Sequence, residues 1–257
     1  MSKNISKKAV SNALLLSGGG TRGFAHLGVL EVLEDEGFKP DFIVGSSVGA
    51  LVGVCYAAGK PLDEIVSHFL EIPLYKLLRP NFNGGLLGTE KIVDAVLSFA
   101  QVTSFSQLSI PLVVNATDIN NGDDVSFSSG KLKPALQASI AVPGLFSPVV
   151  IGSRVFVDGG SSHPLPIHLL PKAKHTFIVD ITFKFEKITE KSSPLKVLQN
   201  ALFALQKQGL SKLKKGMIYI KPPLEEFSHY EYVTSARRTM LLRGRKAARE
   251  ALHTLEK

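Results

Sequence analysis

Short apolar runs and segments of helical spacing alternate along the chain, with turn residues between them. The apolar runs predict strands at residues 12–17, 42–44, 111–117, 125–128, 154–157, 175–181 and 217–221. The segments of helical spacing predict helices at residues 22–36, 51–58, 62–70, 89–100, 134–141, 194–214 and 233–255. The first run is apolar almost throughout, which is typical of a strand that is buried on both faces of a sheet.

The order of these elements predicts an α/β fold. A strand, a helix, a second strand and a second helix open the chain, and this order implies parallel strands joined by right-handed crossovers. The Asn-Asn-Gly-Asp turn at 120–123 predicts that strand 125–128 pairs antiparallel with the strand before it. Residues 75–87 mix apolar residues with Pro, Asn and Gly, and we expect a surface connection there in preference to a mobile lid. No linker is evident in the pattern, so we expect residues 1–257 to form one domain.

The residues at 45–49 read Gly-Ser-Ser-Val-Gly and match the Gly-x-Ser-x-Gly pattern, between a predicted strand and a predicted helix of small residues. A serine at such a turn sits on a strained backbone with its hydroxyl exposed. A side chain at Gly45 or Gly49 would crowd the turn or the helix beside it. Ser47 is therefore the candidate nucleophile, and a tight turn without chemistry is the alternative interpretation.

A second glycine-rich turn, Gly-Gly-Gly-Thr-Arg-Gly at 18–23, lies between the first strand and the first helix. Its spacing is also that of dinucleotide-binding turns, which need an acidic residue at the far end of the second strand. Asp41 precedes that strand instead, and this placement argues against NAD. The other interpretation is an oxyanion hole, in which backbone N–H groups converge on a developing negative oxygen and a nearby cation assists them. Its candidate residues are Gly18, Gly19, Gly20 and Arg22.

Asp158 follows the predicted strand at 154–157 and precedes two glycines. Parallel strands place their functional groups at one edge of a sheet, where Asp158 and Ser47 can meet. A serine hydroxyl needs a base to take its proton, and a partly desolvated carboxylate can serve as that base. The alternative is that Asp158 only forms hydrogen bonds within the turn of its own loop.

A Ser-His-Asp triad would need one of the seven histidines as its base. His26 falls on the first predicted helix and His253 lies near the end of the sequence, so neither is an obvious base. His163 follows Asp158 closely enough to reach the same site, and it is a candidate for substrate contact, with a surface loop residue as the alternative. No spacing typical of a metal site is evident, so we expect no bound metal.

Several separated blocks together resemble the patatin-like phospholipases. The residues at 18–23 are similar to that family's oxyanion block, and Pro-Asp-Phe-Ile-Val-Gly-Ser-Ser-Val-Gly-Ala at 40–50 is similar to its nucleophile block. The segment at 138–148 reads Ala-Ser-Ile-Ala-Val-Pro-Gly-Leu-Phe-Ser-Pro and looks like a further block. Val-Asp-Gly-Gly at 157–160 and Pro-Leu-Pro at 164–166 resemble the blocks that follow it. The blocks occur in the family's order within residues 12–181.

This resemblance implies a three-layer α/β/α sandwich with a mainly parallel central sheet. It also implies a Ser-Asp dyad without a catalytic histidine: Ser47 attacks, Asp158 is the base, and the glycine amides with Arg22 hold the oxyanion. The typical substrates are fatty-acyl esters of phospholipids or lysophospholipids, and the reaction needs neither a metal nor a cofactor. Many bacterial members carry Asn where this chain has His163, which leaves the shape of the pocket for the acyl chain or the head group open.

The composition indicates the size of the core and the redox environment in which the protein works. The 257 residues are 44% hydrophobic, enough for one large core, and the net charge is +8. With Cys55 as the single cysteine, an intramolecular disulfide is excluded, and we expect a reducing compartment, the cytoplasm. The apolar run after the basic residues 1–10 is too short for a signal peptide. Glycine, serine or proline residues break the charge-free stretches 42–59 and 134–153, so we expect buried segments there instead of membrane spans.

The predicted C-terminal helix carries many arginines between apolar residues. Such a helix can lie peripherally on an anionic membrane, and the alternative, which we favour, is a solvated helix whose apolar side packs on the protein. The basic residues come without interleaved aromatic residues or a recognised motif, so we expect no nucleic-acid partner. Two other functions stay open besides the acyl hydrolase: a catalytically silent or regulatory protein that binds a lipid or a partner, and a nucleotide-binding oxidoreductase.

Overall fold

The computed structural model describes residues 10–81, 84–182, 185, 187–208, 213, 216–227 and 233–253. The strands are β1 (Val10–Leu16), β2 (Phe42–Gly45), β3 (Arg79–Pro80), β4 (Leu87–Gly88), β5 (Leu112–Asp118), β6 (Asp124–Phe127), β7 (Val149–Ile151), β8 (Arg154–Asp158), β9 (Ala173–Val179) and β10 (Met217–Ile220). The helices are α1 (Phe24–Asp35), α2 (Val48–Ala57), α3 (Leu62–Glu71), α4 (Leu74–Leu77), α5 (Glu90–Ala100), α6 (Leu132–Ser139), α7 (Pro194–Gln208) and α8 (Thr234–His253). Short 3-10 helices lie at Gly20–Gly23, Phe105–Gln107, Gly159–Ser161 and Ile167–Leu169.

Most elements lie where the hydrophobic pattern predicts them. The first helix begins at Phe24, after a 3-10 turn, and the helix after Ser47 already begins at Val48. Segment 75–87, which we expect to be a connection, holds most of α4 and one strand of the β3–β4 pair. The pattern does not predict β7, because three residues are too few to show a periodicity. The predicted helix ends at 214 and 255 lie outside the described residues.

One sheet holds the strands in the order β10-β9-β1-β2-β5-β8-β7, and β6 also pairs with β5. Strands β10, β9, β1, β2 and β5 are parallel, and β6 is antiparallel to β5, as the sequence predicts. The α/β class and the central sheet flanked by helices are therefore confirmed. Strand β8, however, is antiparallel to β5. The expectation that Asp158 follows a strand parallel to the Ser47 strand is wrong.

The register around β5 explains how Asp158 still reaches the Ser47 turn. Strands β2 and β6 both pair with Val114, so they lie on opposite edges of β5. Strands β6 and β8 both pair with Ala116, so β8 lies on the same edge as β2. Gly45 at the end of β2 is opposite Val114, and Asp158 at the end of β8 is opposite Ala116. Because a strand rises about 3.3 Å per residue, the two strand ends face each other across about 7 Å.

The two faces of the sheet are covered unequally. The larger core lies on one face, where α1, α2, α3, α5, α6 and α8 pack. A smaller cluster lies on the other face, where Leu165 and Ile167 from the segment after β8 pack with Val44 and Ile178. Successive residues of β1 alternate between the two clusters, so this strand is buried on both faces, as its apolar sequence predicts.

The two charge-free stretches form short elements of the α/β fold. Residues 42–59 contain β2 and α2, and residues 134–153 contain most of α6 together with β7. These segments match the strand-turn-helix interpretation of the sequence. Among the helices that the structure describes, none is both long enough and apolar enough to cross a bilayer.

The basic helix α8 packs along α1, with its apolar side in the larger core. Arg237 Nη1 donates hydrogen bonds to the carbonyl oxygens of Leu70 and Ile72, at 2.9 and 3.0 Å. Arg245 makes a two-pronged ion pair with Glu31, with distances of 2.6 and 2.7 Å. These contacts support the interpretation of α8 as a packed helix of the fold, and membrane contact stays a prediction.

Helices α1 and α8 are in close contact at two glycines, one in each helix. A side chain at either glycine would clash with the backbone of the other helix. A Cβ atom added at Gly244 would lie 2.1 Å from the carbonyl oxygen of Ala25, and one added at Gly28 would lie 2.0 Å from that of Leu241. Real Cβ atoms do not come this close to backbone atoms. A larger residue at either position therefore forces the two helices apart.

We expect Gly244→Ala to lower the free energy of unfolding by about 1–3 kcal/mol, the usual cost of overpacking. The cost of the clash should exceed the gain of about 1 kcal/mol that alanine has over glycine in helix propensity. Gly53→Ala in α2 is the matched control, because its added Cβ would meet side-chain atoms only, at 3.3 Å or more. Urea unfolding of both variants measures the difference. A loss for Gly244→Ala no larger than that for Gly53→Ala would contradict the close approach of α1 and α8.

Candidate active site

Ser47 lies at the sharp turn between β2 and α2. Its backbone has φ 52° and ψ −125°, a conformation that residues with a side chain rarely adopt, so the turn is strained. Two hydrogen bonds hold the turn: the Ser46 N–H donates to the Leu16 carbonyl oxygen at 3.0 Å, and the Ser47 N–H donates to the Ser139 hydroxyl at 2.9 Å. A Cβ atom added at Gly49 would lie 2.1 Å from the Leu16 carbonyl oxygen, so the second glycine of the pattern lets α2 start against β1.

Asp158 ends β8 with its side chain buried, and the residue is only 5% exposed. Its Oδ1 accepts a hydrogen bond from the Gly160 N–H at 2.7 Å, so the bond within its own turn uses one of the two oxygens. Among the described residues, the buried Oδ2 has no hydrogen-bond partner. Burial raises the pKa of Asp158 to about 6, while the neighbouring Ser47 hydroxyl and the Gly160 N–H act in the opposite direction. Asp158 can therefore act as a base near neutral pH.

The glycine-rich loop after β1 lies against the Ser47 turn. A Cβ atom added at Gly18 would lie 3.2 Å from the Cβ of Ser47. Gly20 has a φ of 59°, in the left-handed region that favours glycine, where the loop enters its 3-10 helix. Three consecutive glycines of this loop line the same cavity as Ser47 and Asp158. They are Gly18, Gly19 and Gly20.

Arg22 lies beneath this loop, and it is not among the described residues that line the cavity. The residue is 2% exposed, and its Nη2 donates to the carbonyl oxygen of Ile181 at 2.5 Å. Burial lowers the pKa of Arg22 to about 10, and the charge of Asp180 partly offsets that effect, so the guanidinium stays charged at neutral pH. The guanidinium of Arg22 thus ties the loop to the segment just after β9, and its assistance to the oxyanion stays a prediction.

An apolar cavity of about 220 Å³ opens beside Ser47. Its wall includes Leu78, so segment 75–87 borders the cavity and is more than a surface connection. The N–H groups of Leu86 and Leu87 donate to the carbonyl oxygen of Leu145, at 3.0 and 2.9 Å, which holds this segment against the opposite wall. Most of the remaining lining is aliphatic or aromatic and includes Phe24, Leu51, Phe69, Val96, Ile140 and Phe146.

His163 lies beside Asp124, outside the described lining of the cavity that we expected it to serve. Its Nδ1 lies 3.9 Å from Oδ1 of Asp124, and Nε2 of His168 lies 2.9 Å from Oδ2 of the same carboxylate. His163 is not among the described residues that line the cavity, and a contact with substrate stays a prediction. The sequence did not reveal the cluster of Asp124, His163 and His168, because its members are far apart in the chain. Asp124 lies on β6, and the two histidines lie in the segment after β8.

Of the histidines in the described part of the chain, none lines the cavity. His26 is fully buried, and its Nε2 donates to the carbonyl oxygen of Ser17 at 2.8 Å. Burial lowers the pKa of His26 to about 4. The site therefore brings a serine and an aspartate together without a histidine between them.

Two buried polar residues of β5 support the Asp158 turn. The Thr117 hydroxyl lies 3.1 Å from the carbonyl oxygen of Asp158. Asn115 Nδ2 donates to the carbonyl oxygens of Gly159 and His163, at 3.3 and 3.1 Å. Sequence reasoning missed both residues, although polar residues inside a fully buried apolar strand are a signal that their side chains have a specific partner.

Asp41 lies at the opposite end of β1 from the glycine-rich loop. Its carboxylate accepts hydrogen bonds from the N–H groups of Ser11 and Asn12, at 2.9 and 3.2 Å, where β1 begins. The acidic residue that a dinucleotide-binding turn uses to hold a ribose is therefore at the wrong end of the strand.

The chain is similar in sequence to proteins of the NTE family. An uncharacterized NTE family protein of Mycobacterium tuberculosis is 41% identical over 159 residues, which are 60% of this chain and 44% of that protein. Lysophospholipase NTE1 of Lodderomyces elongisporus is 29% identical over 201 residues, which are 70% of this chain and 13% of that protein. The chain thus matches less than half the length of these curated relatives.

The fold is similar to those of two solved bacterial proteins. VipD from Legionella pneumophila aligns with a TM-score of 0.66 at 14% identity, over 96% of this chain and 67% of that one. The type III effector protein ExoU of Pseudomonas aeruginosa aligns with a TM-score of 0.51 at 14% identity, over 95% of this chain and 53% of that one. At this identity, the likeness concerns the fold alone.

The family model of the patatin-like phospholipases matches residues 14–171. This segment contains the glycine-rich loop, the Ser47 turn and the Asp158 turn, and it makes up more than half of the chain. The resemblance that the separated sequence blocks indicate is thereby confirmed. The chain belongs to the patatin-like phospholipase family.

Proposed function

We propose that the protein is a serine acyl hydrolase that cleaves fatty-acyl esters of phospholipids or lysophospholipids. One observation carries the proposal: a strained serine turn and a buried carboxyl group with an unused oxygen meet in the wall of one apolar cavity. Family membership and the similarity to a protein named lysophospholipase support the substrate class. In this proposal Ser47 is the nucleophile and Asp158 is the general base.

The reaction has two steps that use the same two side chains. In the first step, Oδ2 of Asp158 takes the proton of the Ser47 hydroxyl while Oγ attacks the ester carbonyl carbon. The bond to the alcohol then breaks, the proton passes from Asp158 to the leaving oxygen, and the acyl group stays on Ser47. In the second step, Asp158 takes a proton from water, the water oxygen attacks the acyl carbon, and the proton returns to Ser47 as the fatty acid leaves.

The glycine-rich loop supplies the positive end of backbone dipoles to the reacting carbonyl. Gly18 lies next to Ser47, and the N–H groups of this loop stabilise the oxyanion of the tetrahedral intermediate. One such donor is typically worth about 2.7–4 kcal/mol. Arg22 acts indirectly, because its hydrogen bond to the Ile181 carbonyl oxygen fixes the loop.

The cavity is suited to the acyl chain of the substrate. Among the described residues that line it, Asp158 is the only charged one. An anionic phosphate group would find no cation in that wall, whereas a hydrocarbon chain gains about 0.8 kcal/mol for each methylene group that it buries. We therefore assign the cavity to the fatty-acyl chain, with the head group at its mouth.

Active-site labelling with an alkyl fluorophosphonate tests the dyad. We expect the probe to modify Ser47, located by peptide mass mapping. Ser47→Ala should abolish the modification, because the attacking oxygen is gone. Asp158→Asn should slow it by about 10²–10⁴-fold, the usual contribution of a general base.

Ser46→Ala is the matched control for this experiment. The Ser46 hydroxyl is buried without a hydrogen-bond partner among the described residues, so its loss should leave the fold and the labelling of Ser47 unchanged. Full labelling of Asp158→Asn would rule out the dyad. Folded wild-type protein that takes no label would instead favour a catalytically silent lipid-binding or partner-binding protein.

Hydrolysis should depend on pH through the carboxyl group of Asp158. The base must be ionised, and its pKa is about 6, so kcat/KM should fall about tenfold for each pH unit below 6 and level off above it. An uncharged p-nitrophenyl ester avoids titration of the substrate. An inflection at pH 4, the range of a solvated carboxyl group, would show that Asp158 is not the desolvated base of the reaction.

The buried carboxyl group should also lower stability at neutral pH. Its pKa is about 6 when folded and 3.8 in the reference state, so the unfolded chain binds fewer protons between these values and stability falls as pH rises through them. We expect Asp158→Asn to raise the free energy of unfolding by about 1–3 kcal/mol at pH 8 and by much less at pH 4. Urea unfolding at both pH values measures this, and an equal effect at both would contradict the raised pKa.

A further inference from the structure

Three side chains outside the cavity bring metal-ligating atoms together. Asp124 comes from β6, His163 from the loop after β8, and His168 from the 3-10 helix Ile167–Leu169. One oxygen or nitrogen of each residue lies within 4.8 Å of those of the other two. Their side chains are 11%, 39% and 44% exposed, in that order, so an ion from solvent can reach the cluster.

The hydrogen bonds within the cluster leave one nitrogen unused. Nε2 of His168 and Oδ2 of Asp124 form a hydrogen bond of 2.9 Å. Nδ1 of His163 lies 3.9 Å from Oδ1 of Asp124, which is too far for a hydrogen bond. This nitrogen is buried and has no partner among the described residues, although buried polar atoms are normally satisfied. It therefore faces a carboxylate across a gap that a cation could fill.

The spacing of the cluster suits a tetrahedral ion. With zinc–ligand bonds of about 2.0–2.1 Å, two ligand atoms of a tetrahedral site lie about 3.4 Å apart. Oδ2 of Asp124 lies 2.9 Å from Nε2 of His168, and Oδ1 lies 3.9 Å from Nδ1 of His163, so the two distances bracket that value. All three ligand atoms lie within 4.8 Å of one another, close enough for modest side-chain shifts to bring them into the first coordination sphere of one ion.

We propose that Asp124, His163 and His168 form a binding site for a divalent transition-metal ion, with Zn²⁺ as the best match. Two imidazoles and one carboxylate suit zinc, whereas Ca²⁺ and Mg²⁺ prefer ligand sets made of oxygen atoms. A water molecule completes the coordination, because three protein ligands leave the fourth position open. The site is separate from Ser47, and the proposed hydrolysis does not use it.

Neighbouring side chains already orient the carboxylate of this site. Oδ1 of Asp124 accepts hydrogen bonds from the Ser162 hydroxyl at 3.2 Å and from Asn115 Nδ2 at 3.4 Å. Asn115 also binds the carbonyl oxygens of Gly159 and His163. Partners of this kind fix the ligands of metal sites and raise their affinity. A bound ion ties the loop after β8 to β6, and it therefore stabilises the folded protein.

A zinc titration of the full chain, first freed of metal with a chelator, tests the site. With a chromophoric competitor for Zn²⁺, we expect one ion per chain. His163→Gln and His168→Asn each remove one ligand and should weaken binding by more than about tenfold. Zn²⁺ should also raise the Tm of the wild-type protein, because the assembled site exists only in the folded state, and it should leave the Tm of His168→Asn unchanged.

His253→Asn and Asp158→Asn are the controls. His253 is an exposed histidine at the end of α8, and Asp158 is the catalytic candidate, so both variants should bind zinc as the wild type does. Absence of stoichiometric binding, or equal affinity in wild type and His168→Asn, would overturn the proposal. Loss of binding in Asp158→Asn would place the ion at the dyad and would also overturn it. None of these measurements depends on ester hydrolysis, so the metal site and the proposed hydrolase can fail independently.

Discussion

The burial of one carboxyl group is the constraint on which the candidate site depends. An ionised carboxylate is costly to bury, so burial raises the pKa of Asp158 to about 6, although the neighbouring Ser47 hydroxyl and the Gly160 N–H both act to lower it. Asp118 shows the opposite case in the same sheet: its ion pair with Arg154 lowers its pKa and would make it a poor base. An ion pair of this kind at Asp158 would therefore remove the basicity that the proposed reaction needs.

Strands β2 and β8 end facing each other on one edge of β5, and this arrangement places the carboxyl group beside the Ser47 turn. The serine turn at that point is strained, since Ser47 has a positive φ, and the Asp158 side chain beside it is almost fully buried. The surroundings compensate for this strain with fixed contacts: the Ser139 hydroxyl holds the serine turn, and Arg22 holds the glycine-rich loop. The sheet holds the two side chains close together, and in the proposed reaction this preorganisation would lower the cost of reaching the transition state.

The segment after β8 links parts of the molecule that would otherwise be independent. It begins with the candidate base, continues through the histidines that face Asp124, and contributes Leu165 and Ile167 to the smaller core. Asn115 in the middle of β5 bonds to both the base turn and the Asp124 carboxylate. Asn115 therefore connects the surface cluster to the Asp158 loop through two hydrogen bonds.

The sequence by itself determined the α/β class, the parallel strands and the two turns that carry Ser47 and Asp158. These features depend on local chemistry: the apolar runs, the spacing of glycines and the residue types at tight turns are all present within short stretches of chain. Only the tertiary structure decided that β8 is antiparallel, that Arg22 binds Ile181, and that His163 lies beside Asp124. Each of these outcomes depends on strand pairing or side-chain packing between segments distant in sequence, and the pattern within a single segment contains no information about its distant neighbour.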